Sequence, residues 1–305
     1  MTLELISGTL WQKIVHQTEL AIESGALHSI QTLSQEIDQD GCDFTVRIAK
    51  NLKRKREQKK THPEFNPFLP PEPSLTVSDI SPTHIAVLNK FNVVNHHLLI
   101  VTRKFESQER LLSESDFYAL CRCLTEYPAL GFYNGGEAAG ASQKHKHLQL
   151  VPLPLYGGTR PYPFSSILRV NDHCTAIQQL SQLPFNHAWC NLPKNLFNDP
   201  DQAATYCNKL YREMLMHVSI EAIADAEGAL QSAPYNLLVT TQWMLLVPRS
   251  RGCWQEISIN ALGYVGSLFV SDQSALEKLD NFGPLNLLKE VSIIYRHAHA
   301  VTDSE

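Results

Sequence analysis

The chain has 305 residues, 43% of them hydrophobic and 19% charged, with a net charge of −5. That composition describes a folded protein with a substantial core and gives no global electrostatic case for binding nucleic acid or a membrane surface. Seven cysteines (Cys42, Cys121, Cys123, Cys174, Cys190, Cys207 and Cys253) include no Cys-x-x-Cys pair, which argues against a zinc ribbon or a disulfide framework and for reduced thiols in the cytoplasm. No apolar run reaches membrane-spanning length, and the N-terminus lacks the pattern of a signal peptide.

In chain order, residues 9–24 carry a partial apolar face ended by Gly25, the pattern of a helix. Residues 29–38 are expected to continue as a second helical or mixed piece, and Phe44–Ile48 alternates as a strand. The basic run Lys53–Lys60 reads as a solvated segment or as one that folds a lysine or arginine over a polyphosphate. Asn66–Pro73, with four prolines, is a rigid extended loop. Residues 83–103 form a hairpin, and 113–127 a helix with a capping box from Ser113 and Asp116, its apolar face placing Cys121 in the core. Leu130–Tyr133 leads as a strand into the stretch of greatest interest, Asn134–Pro154.

Beyond it, residues 157–200 read as a long surface connection and the boundary between two lobes, 1–180 and 181–305. A helix near 200–223 capped by Asp199, a hairpin over Tyr235–Arg249 turning near Thr241-Gln242, and helices over 258–270 and 284–297 complete the chain. His97–Arg103 and Met244–Arg249 resemble each other, as an internal duplication or as two generic buried strands. The fold class expected is α+β, a mostly antiparallel sheet with packed helices.

Asn134–Pro154 joins a glycine-rich loop (Gly135, Gly136, Gly140) to an alternating row. An extended backbone puts His145, His147 and Gln149 on one face, neighbours roughly 7 Å apart, and Lys146, Leu148 and Leu150 on the other. A metal reading lacks a third good ligand, since glutamine binds zinc poorly. A nucleophile reading fits: neutral imidazole attacks phosphorus at neutral pH, and a covalent phosphohistidine divides one displacement into two. Backbone N–H groups of the loop, with Ser142 and Gln143, form a nest for phosphate oxygens, and Gln149 donates an amide hydrogen bond without exchanging a proton.

Gly140–Gln149 resembles the signature of the diadenosine tetraphosphate phosphorylases, or ATP adenylyltransferases, of the histidine-triad superfamily. The resemblance extends to Asn66–Glu72, Leu88–Val94, His97–Arg103 and Tyr235–Arg251. It implies reversible conversion of diadenosine tetraphosphate and phosphate into ATP and ADP, with His147 forming an adenylyl-histidine and Gln149 standing where hydrolytic relatives carry a third histidine; His145, a supporting residue on the same face, orients the His147 ring or orders nearby backbone. It also implies nucleotide contacts from Asn89, Lys90, Asn134, Gly140, Ala141, Ser142, Gln143 and Gln149, and from Thr240, Thr241, Gln242 and Arg251 of the second lobe, which completes the nucleotide site. Lys55, or Lys53 close by, is placed near the phosphates. Asn89, Asn134, Thr240 and Gln242 are also ordinary turn and hairpin-tip residues. The chain departs from the family at Asn95, often proline, and Arg251, often lysine. No tightly bound cofactor is expected, only a divalent cation such as magnesium accompanying the nucleotide, and the partners expected are small nucleotides. His96, His97, His297 and His299 read as surface or structural histidines. The competing functions are a dinucleotide hydrolase, a sugar-phosphate nucleotidyltransferase, and a non-catalytic adenine-nucleotide sensor.

Overall fold

Helix α1 (Leu10–Glu23) buries Leu10, Ile14, Thr18 and Ala21 along one stripe and gives way to Gly25 at φ +72°. The computed structural model describes residues 4–49, 65–170 and 175–294, so the basic run with Lys53 and Lys55, and His297 and His299, lie outside the described residues. The stretch expected as helical over 29–38 is instead strand β1 (Thr32–Gln39), hairpinned to β2 (Cys42–Ala49). The reason is the two-residue turn Asp40-Gly41, both at positive φ, a pairing whose twist matches antiparallel strands. β1 is largely exposed, so its sequence carries no clean alternation.

Strands β3 (Thr76–Asp79), β4 (His84–Leu88) and β5 (Leu98–Thr102) follow the proline loop. Helix α2 (Glu114–Leu124) has the expected capping box, and Cys121 is fully buried. β6 (Ala129–Gly135) and β7 (His147–Pro152) flank the glycine loop. Within 157–200, read as a surface connection, Tyr162, Phe164, Phe185 and Trp189 are buried, and β8 (Ala188–Asn191) is a fully buried strand. Prolines and turn residues masked that core contribution.

Asp199 caps α3 (Pro200–His217), accepting from Asp201 and Gln202 N–H. β9 (Ala222–Asp225) and β10 (Gly228–Gln231) form a small hairpin, and β11 (Tyr235–Val239) and β12 (Trp243–Pro248) the expected large one. The helix expected over 258–270 is replaced by β13 (Cys253–Trp254) paired with β14 (Ile257–Ser258), a 3₁₀ turn at Ala261–Val265, and β15 (Ser267–Val270). Gly266, at φ +83° and packed where a Cβ would meet the Asp43 carbonyl at 2.8 Å, breaks the turn. Helix α4 (Gln273–Phe282), capped by Asp272, lies where no helix was expected, and α5 (Pro284–Val291) is the last element among the described residues.

Eight strands form one antiparallel sheet in the order β3-β4-β5-β7-β6-β11-β12-β8. One face buries Leu148, Leu150, Tyr133 and Leu237 against residues of α1, α2 and α3. The other buries Phe132, Leu130, Leu238 and Trp243 against the β1-β2-β15 sheet, α4 and α5. The large sheet is internally repeated. β5, α2, β6 and β7 lie in the order β5-β7-β6, and β8, α3, β11 and β12 in the order β8-β12-β11. The repeats meet where β6 pairs with β11, Asn134 opposite Asn236. Topology therefore matches β12 with β7, Met244-Leu-Leu-Val-Pro248 with Leu148-Gln-Leu-Val-Pro152, and β5 with β8; the hairpin resemblance had matched β5 with β12. Among the described residues no helix is long and apolar enough to cross a membrane.

Behind the histidine row the sheet carries a buried charge network. Lys146 Nζ lies 2.6 Å from Asp116 and 3.1 Å from Glu106, and Asp116 accepts from His84 Nε2 at 3.0 Å. These partners outweigh burial and hold the Asp116 carboxyl far below the usual carboxylate range. Asp116 thus ties the first turn of α2 to β4 and to the residue between the two histidines. Asp116→Asn leaves the Lys146 cation under-compensated; the expected loss is about 3–5 kcal/mol of unfolding free energy, measured by urea denaturation at neutral pH.

Candidate active site

β7 presents His147 and Gln149 to the face opposite Leu148 and Leu150, as alternation requires. The ladder between β6 and β7 runs from Ala129↔Pro152 to Phe132↔Gln149 and stops. Two positions further along the same register, Asn134 and His147 are bridged by the Gln108 side chain. Its Oε1 accepts from His147 N at 2.8 Å, and its Nε2 donates to the carbonyls of His147 at 3.2 Å and Asn134 at 2.9 Å. Backbone groups that would otherwise pair across the strands are satisfied by one amide, and the ladder parts at this point.

His147 Nδ1–H donates to the His145 carbonyl at 2.8 Å. That bond fixes the tautomer and places the ring lone pair on Nε2. The orienting carbonyl comes from the His145 backbone, and the His145 side chain takes the other of its two expected roles, ordering nearby backbone. The His145 ring donates from Nε2 to Thr102 O at 2.8 Å, and its Nδ1 accepts from the Asn66 amide at 3.0 Å. Burial pulls its pKa below the usual histidine value, which favours the neutral ring. Phe68 packs against both rings, 5.6 Å from His145 and 5.4 Å from His147. The proline loop is thereby closed over the row.

Gln149 Oε1 accepts from His97 Nε2 at 3.0 Å, and His97 Nδ1 accepts from the Asn89 amide at 3.2 Å. With its oxygen committed, Gln149 presents its N–H₂ end as a donor. His97, read from sequence as surface or structural, is a buried member of the row. Lys90 is paired with Glu72 at 2.9 Å, a bond that lowers the Glu72 pKa.

In the glycine loop, Gly140 sits at φ +92° with a virtual Cβ 2.4 Å from Ile259 O, a close approach only glycine allows. The N–H groups of Ala139, Gly140 and Ala141 bond the loop's own carbonyls at Gly136 and Glu137. The nest expected over Gly140–Gln143 thus narrows: Ser142 and Gln143 make no hydrogen bond among the described residues. Behind the loop, Ala139 O accepts from Asn236 at 2.8 Å and Arg249 at 3.3 Å. Asn134 Oδ1 accepts from Asn236 at 2.8 Å and from Ala261 N at 3.0 Å. Arg249 is 1% exposed and donates otherwise to Asn236 Oδ1 and to the carbonyls of Ile259, Val291 and Arg251. Among the described residues no carboxylate meets it, and burial lowers its pKa.

Arg251 is exposed, 3.4 Å from Glu290, and its neighbour Gly252 packs on the loop at Glu137 O. Thr240, Thr241 and Gln242 form the β11–β12 tip, where Thr240 Oγ1 accepts from Gln242 and Trp243 N–H. By register Thr240 lies four residues beyond Asn236, on the order of 13 Å further along the sheet, and is not brought to His147. Gln108 carries no sequence signal of its role, and Asn66, Phe68, Asn236 and Arg249, though inside segments that carry the family resemblance, were assigned none by it. Arg249, at the end of a strand and flanked by Pro248 and Ser250, looks like a surface arginine until the second lobe encloses it.

Residues 1–170 match the model of the Ap4A phosphorylase N-terminal domain, and residues 181–294 that of the ATP adenylyltransferase C-terminal domain. The chain is 29% identical over 304 residues to diadenosine 5',5'''-P1,P4-tetraphosphate phosphorylase 2 of Saccharomyces cerevisiae, covering 90% of this chain and 91% of that protein. The crystal structure of yeast Ap4A phosphorylase Apa2 superposes with a TM-score of 0.76 at 26% identity, covering 96% of this chain and all of the other. The same yeast protein in complex with Ap4A superposes with a TM-score of 0.75 at 25% identity, again over 96% of this chain and all of that one.

Buried histidines, one of them in the row, also set an acid limit on the fold. Burial lowers the pKa of His145, His187 and His96. The unfolded chain therefore binds protons below about pH 6.5 that the folded one refuses, and stability present above that pH is lost as pH falls. The melting temperature is expected to drop steadily from about pH 7.5 to about pH 5.5 by circular dichroism, well before carboxylates titrate.

Proposed function

The chain belongs to the Ap4A phosphorylase and ATP adenylyltransferase family, and on that footing we propose that it catalyses the reversible phosphorolysis of diadenosine tetraphosphate to ATP and ADP. The observation that carries this reading is the pairing of His147, its lone pair directed to Nε2 by the His145 carbonyl, with an amide at Gln149 that cannot exchange protons.

In the first step Nε2 of His147 attacks the α-phosphorus of one adenylate. The P–N bond forms as the bond to the bridging oxygen breaks, and ATP leaves with that oxygen. The Nδ1–H···O=C bond to His145 stabilises the positive charge that grows on the ring. In the second step an oxygen of inorganic phosphate attacks the same phosphorus, the P–N bond breaks, and ADP departs from a regenerated imidazole. Phosphate is already an anion, so no base is needed to activate it. Water needs one, and Gln149 cannot serve.

The donors supporting the phosphoryl oxygens are Ser142, Gln143 and the Gln149 amide, with the Arg249 cation behind the loop favouring negative charge. Asn89 and Lys90 hold the retained nucleoside, and Arg251 and the Asn236–Arg249 clamp are the second lobe's contribution. Lys55, with Lys53 as the alternative, approaches the phosphates from the basic run. Among the described residues no group of three His, Cys, Asp or Glu side chains can hold a metal. A divalent cation such as magnesium would come on the nucleotide's phosphates. We place the enzyme in the cytoplasm, a reading supported by the six free cysteines among the described residues.

Incubation with diadenosine tetraphosphate is expected to give ATP and ADP only when phosphate is present. His147→Ala is expected to abolish that turnover while the protein stays folded by circular dichroism; retained phosphorolysis in the variant would sink the mechanism. Gln149→His is expected to divert the adenylyl group from phosphate to water, read as AMP appearing at the expense of ADP. Unchanged product ratios would show that Gln149 does not govern the acceptor, and AMP from the wild-type protein would point to the hydrolase instead.

A further inference from the structure

Along β7 the groups around His147 fall on two sides. Gln149, His97 and Asn89 lie toward Pro152, linked by hydrogen bonds. His145 lies the other way, about 7 Å up the strand, and beyond it stands an aromatic ring with no place in the chemistry so far described. Phe105 is 57% exposed, with its ring 5.5 Å from that of His145 and nearly edge-on to it. It sits in the segment after β5 that is pinned to the histidine row: Lys146 N donates to Glu106 O at 2.8 Å, and Gln108 N to Lys144 O at 2.8 Å. The backbone that carries the ring is therefore held in place, and the ring, edge-on to His145, remains open to solvent. Two more apolar side chains, Phe65 at 72% and Leu69 at 41% exposed, flank the Asn66–Phe68 segment that closes over His145 from its other side.

A fixed aromatic face open to water beside a phosphate-handling site suits a nucleobase, because every base offers a flat π-face and stacking tolerates any of them. The proposed substrate has two bases, and the retained nucleoside occupies the side of Asn89 and Lys90. Its polyphosphate then runs past His147 and Ser142 toward His145. We propose that Phe105 is the platform for the second nucleobase, the one that departs with ATP, and so makes the enzyme prefer a dinucleotide to a nucleoside polyphosphate. This assignment rests on the proposed phosphorolysis.

The test compares diadenosine tetraphosphate with adenosine 5′-tetraphosphate, which has the same phosphates and lacks the second nucleoside. Phe105→Ala is expected to lower kcat/KM for the dinucleotide about tenfold or more and that for the mononucleotide by less than about twofold. Phe105→Trp, which keeps a stacking face, is expected to retain the wild-type preference. Equal losses on both substrates would overturn the proposal, since Phe105 would then act by packing His145. A wild-type enzyme that does not distinguish the two substrates would overturn it as well. If the wild-type protein fails to phosphorolyse either, the proposed function falls on its own, and the same comparison read as dissociation constants by calorimetry still decides the stacking role.

Discussion

The site depends on one amide. Continued pairing of β6 with β7 would bring Asn134 and His147 face to face as an ordinary ladder pair, but the ladder ends at Phe132 and Gln149. Opening a buried ladder strands backbone donors and acceptors, at about 1–3 kcal/mol for each left unsatisfied. Gln108 removes that penalty by offering both an acceptor and a donor to the same gap. Its own backbone is fixed in turn, its carbonyl accepting from Tyr133 Oη at 2.6 Å and its N–H donating to Lys144 O. The opening is therefore a built feature of the sheet, and the segment that builds it also carries Phe105.

Two buried cations lie near this opening and are treated differently. Lys146 meets Asp116 and Glu106, so its charge is cancelled locally and it serves to tie β7 to α2. Among the described residues Arg249 meets carbonyl and amide oxygens and the face of the Tyr264 ring, 5.5 Å away, but no carboxylate. Those dipoles satisfy its N–H groups and leave its net charge in place, in a region of low dielectric where its field reaches further than it would in water. A positive charge behind a loop that ends in the donors Ser142 and Gln143 is suited to an anionic substrate. Neighbouring segments of one sheet thus use the same kind of charge for cohesion in one place and for potential in another.

The internal repeat explains why there is one site rather than two. By topology β12 corresponds to β7, and the shared Leu-Val-Pro ending aligns Trp243 with His147 and Leu245 with Gln149. The second repeat fills with buried apolar side chains the positions that the first uses for chemistry. What it contributes instead comes from the strand edge at the junction, where Asn236 reaches across to Asn134 and to the glycine loop.

Local physics carried much of this structure into the sequence. The Ser113–Asp116 capping box, the Asp199 cap, the two large hairpins and the alternation of β7 were all legible, because each depends on residues within one turn or one strand. The family signature across Gly140–Gln149 was legible for the same reason. β1, β8 and α4 were misread or missed, since an exposed strand shows no alternation, a short buried strand inside a proline- and turn-rich stretch looks like a loop, and a ten-residue helix is overshadowed by its neighbours. What only the tertiary structure decided is how the row is served. Gln108 is 39 residues from His147, His97 is 52 from Gln149, and Arg249 is 110 from Ala139. Their roles arise where strands distant in sequence become neighbours and buried polar groups must find partners. A linear pattern marks the residues that react, and the packing of the sheet selects those that hold them in place.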